Sequence, residues 1–206
     1  MTDRPTDPGD PYIDPATGVL KNLLGARTRE QLEHAEVLLV EGRAFELAES
    51  PVPVTGDFAH LQAIHRHLFQ DVYGWAGQPR QGVDISKPGG HGFLPVSRIP
   101  SAAEFAFGEL AGEGFLRGLD RSQFIERVAH HYDQINYLHP FREGNGRTQR
   151  VFWAQIADQA GHPTDWSSVP GPVNDAACRA AIEHSDLEPL RNMFARTTLT
   201  DDSHGR

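Results

Sequence analysis

The chain has 206 residues, enough for one domain with a full hydrophobic core, and its formal net charge is −9. That charge argues against general nucleic-acid binding, which depends on neutralising phosphates with basic side chains. No segment approaches the roughly 18 apolar residues of a membrane helix, the N-terminus lacks a secretory signal, and the single cysteine, Cys178, cannot form an internal disulfide. We therefore expect a cytoplasmic protein that binds neither nucleic acid directly nor a membrane.

The first two predicted helices follow from N-cap residues and apolar spacing. Thr28 is a candidate N-cap for a helix that runs to about Ala48, and Pro51 and Pro53 end it. Asp57 can cap a second helix, because apolar residues recur after it at helical spacing. The apolar positions are Leu32, Ala35, Leu39 and Leu47 in the first helix and Phe58, Leu61, Ile64, Leu68 and Val72 in the second.

Residues 82–95 follow a different pattern. Val83 and Ile85 alternate with polar neighbours, residues 87–92 form a glycine-rich turn sequence, and Phe93 opens the returning arm. Alternation on either side of such a turn predicts a short, exposed β-hairpin.

The remaining predicted helices surround a second glycine-rich turn. One helix begins at Ser97 or Ser101 and reaches about Leu116. Asp120 caps the next helix, with Gln123 in the capping-box position. An apolar stripe predicts that this helix is buried along one face: Phe124, Val128, His131, Ile135 and Leu138. Three more helices are expected at residues 147–160, 174–183 and 187–196.

These patterns together predict an all-α helical bundle with one small β-hairpin. We expect residues 1–24 to be flexible or turn-rich, residues 25–197 to form the domain and residues 198–206 to be a disordered tail. No internal repeat interrupts this division.

One twelve-residue turn reads HPFREGNGRTQR. Its glycines allow left-handed backbone and leave no Cβ to block a ligand, so the amides of Gly144, Asn145 and Gly146 can point into one anion-binding concavity. Arg147 and Arg150 lie one turn apart on the helix that follows, where both guanidinium groups can reach the same anion. A polyphosphate fits this arrangement better than a single carboxylate.

Two other side chains of the turn add reactivity. A carboxylate beside phosphates needs a cation between them, so Glu143 is a candidate Mg²⁺ ligand. His139, at the end of the preceding helix, can accept a proton near neutral pH. A base, a metal and a phosphate site together favour attack of a hydroxyl on a phosphoryl centre.

A zinc site is the alternative chemistry for the histidines of this region. The candidate ligands are His130, His131, His139 and Glu143. However, the chain lacks an HExxH motif, adjacent histidines point to different faces of a helix, and two arginines would lie beside the metal. A zinc hydrolase is therefore disfavoured.

The twelve residues resemble the active-site motif of the Fic-domain family, HxFx(D/E)GNGRxxR, at every defining position. The similarity extends over roughly residues 30–195, since the preceding helix, the turn at residues 73–77 and the predicted hairpin also look Fic-like. The resemblance implies a Fic fold and transfer of AMP from ATP to a Tyr, Ser or Thr hydroxyl of a target protein, with release of pyrophosphate.

The resemblance also implies a role for each motif residue. His139 would be the general base on the target hydroxyl, and Glu143 would hold Mg²⁺ between the α- and β-phosphates. The amides of the GNG turn would form the anion hole, with the Asn145 side chain at the α-phosphate. Arg147 and Arg150 would hold the β- and γ-phosphates.

The predicted hairpin resembles the flap of the family, which docks a target segment by strand addition. Ile85, Lys87 and Phe93 are the residues expected to contribute to this docking surface.

Other functions stay open at this point. One branch of the family transfers the γ-phosphate, as a Doc-like protein kinase, with a motif that lacks the second glycine and the final arginine. Gly146 and Arg150 are present here, which favours adenylyl transfer, although the turn does not identify the base of the nucleotide. A catalytically idle binding module predicts a damaged motif, whereas His139, Glu143 and Asn145 are intact.

Many Fic proteins are inhibited by a helix carrying (S/T)xxxE(G/N), whose glutamate pairs with the final motif arginine. Glu41, Glu113 and Glu126 each lack part of this pattern. We therefore expect the toxin of a toxin–antitoxin pair, with the inhibitory helix on a separate small antitoxin. Similar toxins modify the ATPase subunits of DNA gyrase and topoisomerase IV, which makes those enzymes the expected targets.

Overall fold

The computed structural model describes residues 9–86 and 92–199, which contain seven α-helices. The helices are α1 (Arg29–Glu49), α2 (Phe58–Phe69), α3 (Ile99–Gly112), α4 (Arg121–Leu138), α5 (Asn145–Gln159), α6 (Gly171–His184) and α7 (Glu188–Thr197). None of these seven combines the length and apolar character that a membrane crossing requires. The predicted all-α class is confirmed.

Side-chain caps explain where three helices begin. Thr28 and Asp57 each accept a hydrogen bond from the amide three residues later, at 3.2 and 2.8 Å. Asp120 and Gln123 form a complete capping box, in which each side chain accepts from the backbone amide of the other residue. These bonds pair amides that have no partner within the helix, and the predicted starts of α1, α2 and α4 are confirmed.

Several other boundaries differ from the prediction, including the end of α3 at Gly112 and the start of α6 at Gly171. α3 begins at Ile99 without a side-chain cap, so neither Ser97 nor Ser101 begins it as expected. α2 ends at Phe69 and does not include Val72, because the amide of Val72 turns back to the carbonyl of Phe69 at 2.9 Å.

α4 lies at the centre of the bundle. It packs against α3, α5, α6 and α7, while α2 packs against α1 and α5. The predicted apolar stripe of α4 is buried throughout: Phe124, Val128, His131, Ile135 and Leu138. Because α4 and α5 are both anchored in this core, the turn that joins them is held at both ends.

The buried face of α1 contains an unexpected acid. Leu32, Val40 and Leu47 are buried, whereas Leu39 is only partly covered. Glu36 continues this buried stripe and is 7% exposed. Glu36 is buried because it contacts two side chains from outside α1, those of Tyr73 and Arg147.

The predicted β-hairpin is not confirmed. Ser86 and Gly92 form one isolated antiparallel bridge, and the amide of Phe93 donates to the carbonyl of Ile85 at 2.9 Å. No strand extends this pairing within the described residues, and Lys87 lies outside them.

The two arms of this segment attach to the domain more than to each other. The amide of Leu94 donates to the carbonyl of Tyr137 in α4 at 3.1 Å. The amide of Val96 donates to Asp84 Oδ1 at 2.6 Å. We refer to residues 83–86 and 92–94 as the flap arms.

Both ends of the described chain make ordered contacts. Ile13 and Leu20 form an isolated antiparallel bridge, and so do Thr164 and Thr198. Asp10 is buried and forms an ion pair with Arg142 of the motif turn at 2.7 Å. The predicted division into lead-in, domain and tail remains a prediction, but residue 10 and residue 198 both contribute contacts to the domain.

Candidate active site

α4 ends at the predicted base, His139. The backbone of His139 is left-handed, with φ 42°, and its amide donates to the carbonyl of Ile135 at 3.1 Å. This conformation costs a residue other than glycine about 1–2 kcal/mol, so surrounding contacts must hold it. The imidazole lies flat against the Phe93 ring, with centroids 3.5 Å apart and planes 12° apart. α4 and the flap arms therefore meet at this side chain.

Asn145 closes the turn from within. Its Oδ1 accepts from the amide of Phe141 at 2.9 Å, and its Nδ2 donates to the carbonyl of the same residue at 2.8 Å. Phe141 is fully buried, which anchors the turn in the core. The α-phosphate contact expected for Asn145 would have to use the second hydrogen of Nδ2, because these bonds occupy the rest of the amide.

Glycine occupies the two positions of the turn for different physical reasons. Gly144 has φ +82°, and a Cβ there would overlap the Phe69 ring. Gly146 is exposed, and a Cβ there would meet nothing within 4 Å. Gly144 thus lets the turn pack on α2, while Gly146 keeps the outer side open at the N-terminus of α5, where helix amides favour an anion.

His65 supports the turn from below and was not predicted. Its Nδ1 accepts from the amide of Gly77 at 2.8 Å, so its Nε2–H donates to the carbonyl of Glu143 at 3.0 Å. The ring also stacks on Phe141 at 3.8 Å between centroids. Burial lowers the pKa of His65 to about 4, with a further contribution from the charge of Arg147, so the ring is neutral. Its only sequence signal is a polar residue within the buried face of α2.

A cavity of about 200 Å³ brings together most of the predicted chemistry. His139, Glu143, Asn145 and Gly146 line it, together with Phe93 of the flap arms. Arg142 and Gln149 of the motif also line it, as do residues of α4 and α6 that were not predicted to reach the site: Tyr132, Asn136, Asn174, Asp175 and Cys178. Their contribution depends on how α6 packs on α4, which no local motif encodes.

Arg147 faces a second cavity of about 480 Å³, on the α1 side of the turn. Its guanidinium pairs with one carboxylate oxygen of Glu36 and lies 3.6 Å from Glu143. The Tyr73 hydroxyl donates to the other oxygen of Glu36, and Arg147 lies over the Phe69 ring at 4.8 Å. A carboxylate within the apolar stripe of α1 was the sequence signal for this pair.

Arg150 has a different environment. It makes no ion pair with any residue in ranges 9–86 and 92–199, and its Nε is buried without a hydrogen-bond partner there. Its guanidinium lies 5.9 Å from the centroid of the Trp166 ring. The two predicted phosphate ligands are therefore not equivalent, because Arg147 is paired with a carboxylate and Arg150 is not.

Glu143 has the chemistry expected of a Mg²⁺ ligand. It lines both cavities, its side chain is partly exposed, and its Oε1 accepts from the amide of Gly144 at 3.0 Å. Mg²⁺ prefers one or two carboxylates combined with water and substrate phosphates. A single carboxylate beside a helix N-terminus fits that preference.

The zinc alternative finds no support in the described residues. His130 and His131 group with Glu109 and not with His139, with ligand atoms within 4.8 Å of one another. The guanidinium of Arg127 also lies 3.4 Å from Glu109. This group is explained as an ion-pair network between α3 and α4.

Comparison with known proteins identifies relatives of this arrangement. Residues 55–157 match the family model described as Fic/DOC family. The chain is 43% identical over 193 residues to "Protein adenylyltransferase VbhT" of Bartonella schoenbuchensis, covering 93% of this chain and 39% of that protein. It is 35% identical over 198 residues to "Probable protein adenylyltransferase Fic" of Escherichia coli, covering 95% and 96%.

The fold matches solved structures as well. The crystal structure of BepC protein from Bartonella tribocorum, with bound AMPPNP, superposes with a TM-score of 0.85 at 26% identity, covering 92% of this chain and 97% of that chain. The chain thus spans about two fifths of VbhT but nearly all of the Escherichia coli relative. Its motif turn between α4 and α5, the matched family model and the near full-length relative make the chain a member of the Fic/DOC family.

Proposed function

We propose that this protein is an adenylyltransferase, which moves AMP from ATP to a Tyr, Ser or Thr hydroxyl of a target protein. The observation that carries the proposal is one cavity, at the N-terminus of α5, lined by His139, Glu143, Asn145 and Gly146. The names of the VbhT and Escherichia coli relatives, and the AMPPNP bound by BepC, support the same reaction.

The proposed step uses the residues of this cavity. His139 accepts the proton of the target hydroxyl as its oxygen bonds to the α-phosphorus of ATP. The bond from that phosphorus to the bridging oxygen breaks, and pyrophosphate leaves. The amides of the GNG turn, at the positive end of α5, stabilise the charge on the α-phosphate oxygens. Glu143 would hold Mg²⁺, which when bound offsets the charge of the phosphates.

The remaining contacts to the nucleotide would come from α5 and α6. Arg150, which has no ion-pair partner in the described part of the chain, would bind the terminal phosphates. Arg147 could bind them only by sharing or leaving Glu36. Asn174 and Asp175 of α6 line the cavity and would supply hydrogen bonds to the ribose or base, for which the motif itself has no residue.

The flap arms would present the target. Phe93 and Ile85 are buried, while their neighbours Ser86 and Gly92 are exposed. Exposed backbone on an arm with a single bridge offers hydrogen-bonding groups to an extended target segment. Lys87 is proposed to contribute to target docking as well.

The toxin–antitoxin assignment is also proposed. Glu126 pairs with Arg191 at 2.7 Å, and Glu113 pairs with Arg127. Within the described residues, no carboxylate pairs with Arg150. An inhibitory glutamate supplied by a separate antitoxin in the cytoplasm fits this arrangement, and DNA gyrase and topoisomerase IV are the proposed targets. Inactivity of the purified chain, reversed by Glu41→Gly, would contradict this assignment.

The reaction itself is tested with labelled ATP. The purified chain, Mg²⁺ and purified DNA gyrase are incubated with either α-labelled or γ-labelled ATP. Label from the α-position alone supports adenylyl transfer, whereas label from the γ-position supports the Doc-like kinase alternative. His139→Ala should lower transfer by about 10²–10⁴-fold, because it removes the general base. His184→Ala, which changes an exposed histidine far along α6, is the matched control.

A further inference from the structure

Arg80 is a buried arginine whose charge is compensated in an unusual way. It is 1% exposed, and the nearest carboxylate among the described residues, on the exposed side chain of Asp84, lies 3.7 Å away. Burial lowers the pKa of Arg80, as expected for a charge removed from water. Such a charge is tolerated only when its N–H groups are hydrogen bonded.

Three backbone carbonyls provide these bonds. Nε donates to the carbonyl of His139 at 2.9 Å. Nη1 donates to the carbonyl of Val83 at 2.9 Å, and Nη2 donates to the carbonyl of Leu94. The backbone amide of Arg80 adds a fourth bond, to the carbonyl of Pro140 at 2.7 Å. One residue therefore joins both flap arms to the two residues that follow α4.

This connection bears on the imidazole of the proposed base. His139 has a strained left-handed backbone, and a bond to its carbonyl helps to hold that conformation. Phe93, which stacks on the His139 ring, directly precedes Leu94, whose carbonyl Arg80 also binds. Arg80 thus contacts both the backbone of His139 and the flap arm that carries the Phe93 ring.

We infer that Arg80 is a positioning residue, which holds His139 in the geometry for proton transfer and joins the flap arms around it. The inference rests on the proposed adenylyl transfer. Only a guanidinium suits this role, because its planar fork directs five N–H groups at separate acceptors, whereas an ammonium group is a single point.

Arg80→Lys tests the inference, since it keeps the positive charge and removes the fork. We expect the rate of AMP transfer to the target protein at saturating ATP to fall about 100-fold, which is the loss that small displacements of catalytic groups produce. The dissociation constant of ATP with Mg²⁺, measured by calorimetry, should change less than about twofold, because the phosphate-binding turn is anchored separately by Asn145 and His65.

Arg121→Lys is the control for the loss of bonds to backbone carbonyls, although Arg121 is exposed and Arg80 is buried. Arg121 also donates to two backbone carbonyls, those of Ala195 at 2.6 Å and Thr198 at 3.4 Å, but it joins α4 to α7. This variant should transfer AMP at the rate of the unaltered protein. A comparable loss in both variants would overturn the inference, because it would reflect general stability alone.

A spectroscopic measurement separates this inference from the proposed function. Stacking on Phe93 should shift the ring-proton resonances of His139 upfield, and these are identified by their absence in His139→Ala. In Arg80→Lys they should move toward the positions of an unstacked histidine. If the unaltered protein labels neither gyrase nor any protein of a cell lysate, the proposed function fails, whereas unmoved resonances in Arg80→Lys overturn the positioning role.

If Arg80→Lys does not fold, hydrogen exchange in the unaltered protein still tests the contact between Arg80 and His139. The Nε–H of Arg80, buried and bonded to the His139 carbonyl, should exchange with solvent much more slowly than that of Arg121. Equal exchange of the two groups would contradict the proposed contact.

Discussion

The two sides of the motif turn have different surroundings, although their arginines lie one helical turn apart. On the α1 side, Arg147 pairs with Glu36 and lies over Phe69. On the α4 and α6 side, His139 shares a cavity with Asn145, while Arg150 has no ion pair among the described residues. Identical side chains in one motif thus have different electrostatic environments.

Within the described residues, Arg147 therefore takes part in an ion pair that links α5 to α1, whereas Arg150 does not pair with a carboxylate. Glu36 reaches Arg147 only because α1 packs on α2, and Tyr73 holds the second oxygen of that carboxylate. Arg142 and Glu143 line both cavities.

Gly144→Ala should have the largest effect, because it changes the turn itself. Its φ of +82° strains any other residue, and a Cβ would overlap the Phe69 ring. Strain and overpacking together should lower the free energy of unfolding by about 3–4 kcal/mol and disorder both cavities. Urea denaturation and label transfer measure the two consequences.

Gly146→Ala is the matched control for this change. A Cβ at Gly146 meets nothing within 4 Å, and alanine favours a helix, so stability should be retained or increased. Equal destabilisation of the two variants would contradict the different roles assigned to these glycines.

Acidification should lower the free energy of unfolding through His65, which supports the motif turn at the carbonyl of Glu143. Its pKa is about 6.5 when unfolded and about 4 when folded, because burial disfavours the charged ring. Between these values the unfolded chain binds more protons, so the stabilisation is present above about pH 6.5 and is lost as the pH falls toward 4. The loss should reach about 3 kcal/mol.

Urea denaturation at pH 7, 6 and 5 measures this dependence. His65→Gln should be less stable at pH 7 but should lose less stability on acidification, since the titrating ring is gone. His60 and His131 are also buried with lowered pKa values, so a smaller dependence should remain. An unchanged pH dependence in His65→Gln would show that other groups account for it.

Arg150→Ala should mainly affect ATP binding. Loss of a charge-assisted bond to phosphate should raise the KM for ATP by about 10–100-fold, equivalent to about 1.5–3 kcal/mol. The melting temperature should change little, because no described ion pair is broken. A large fall in melting temperature with unchanged KM would reverse the roles of the two arginines.

Arg147→Ala should show the opposite pattern, with the smallest effect. The buried carboxylate of Glu36 would lose its cationic partner, and the free energy of unfolding should fall by about 1–2 kcal/mol. Adding Glu36→Gln to Arg147→Ala should recover part of this loss, because the uncompensated charge is removed. A double-mutant cycle measures this coupling. Additive effects of the two substitutions would show that the pair is not coupled.

Much of the fold could be predicted because its signals are local. Thr28, Asp57 and Asp120 begin helices by bonding amides within one turn, and the stripe of α4 reflects one buried face. The predicted β-hairpin is the counterexample. Its alternating residues are buried and exposed as expected, yet the arms bond to Arg80 and to α4 and form no ladder.

The motif turn could be predicted from the sequence because its glycines and its asparagine act on neighbouring residues of the turn. Only the tertiary structure decided which motif arginine is paired, what holds His139, and which residues of α6 complete the cavity. Glu36 lies 111 residues from Arg147, and Arg80 lies 59 residues from His139. Such partners are selected by the packing of whole helices, and the burial that makes their bonds strong exists only after the helices have met.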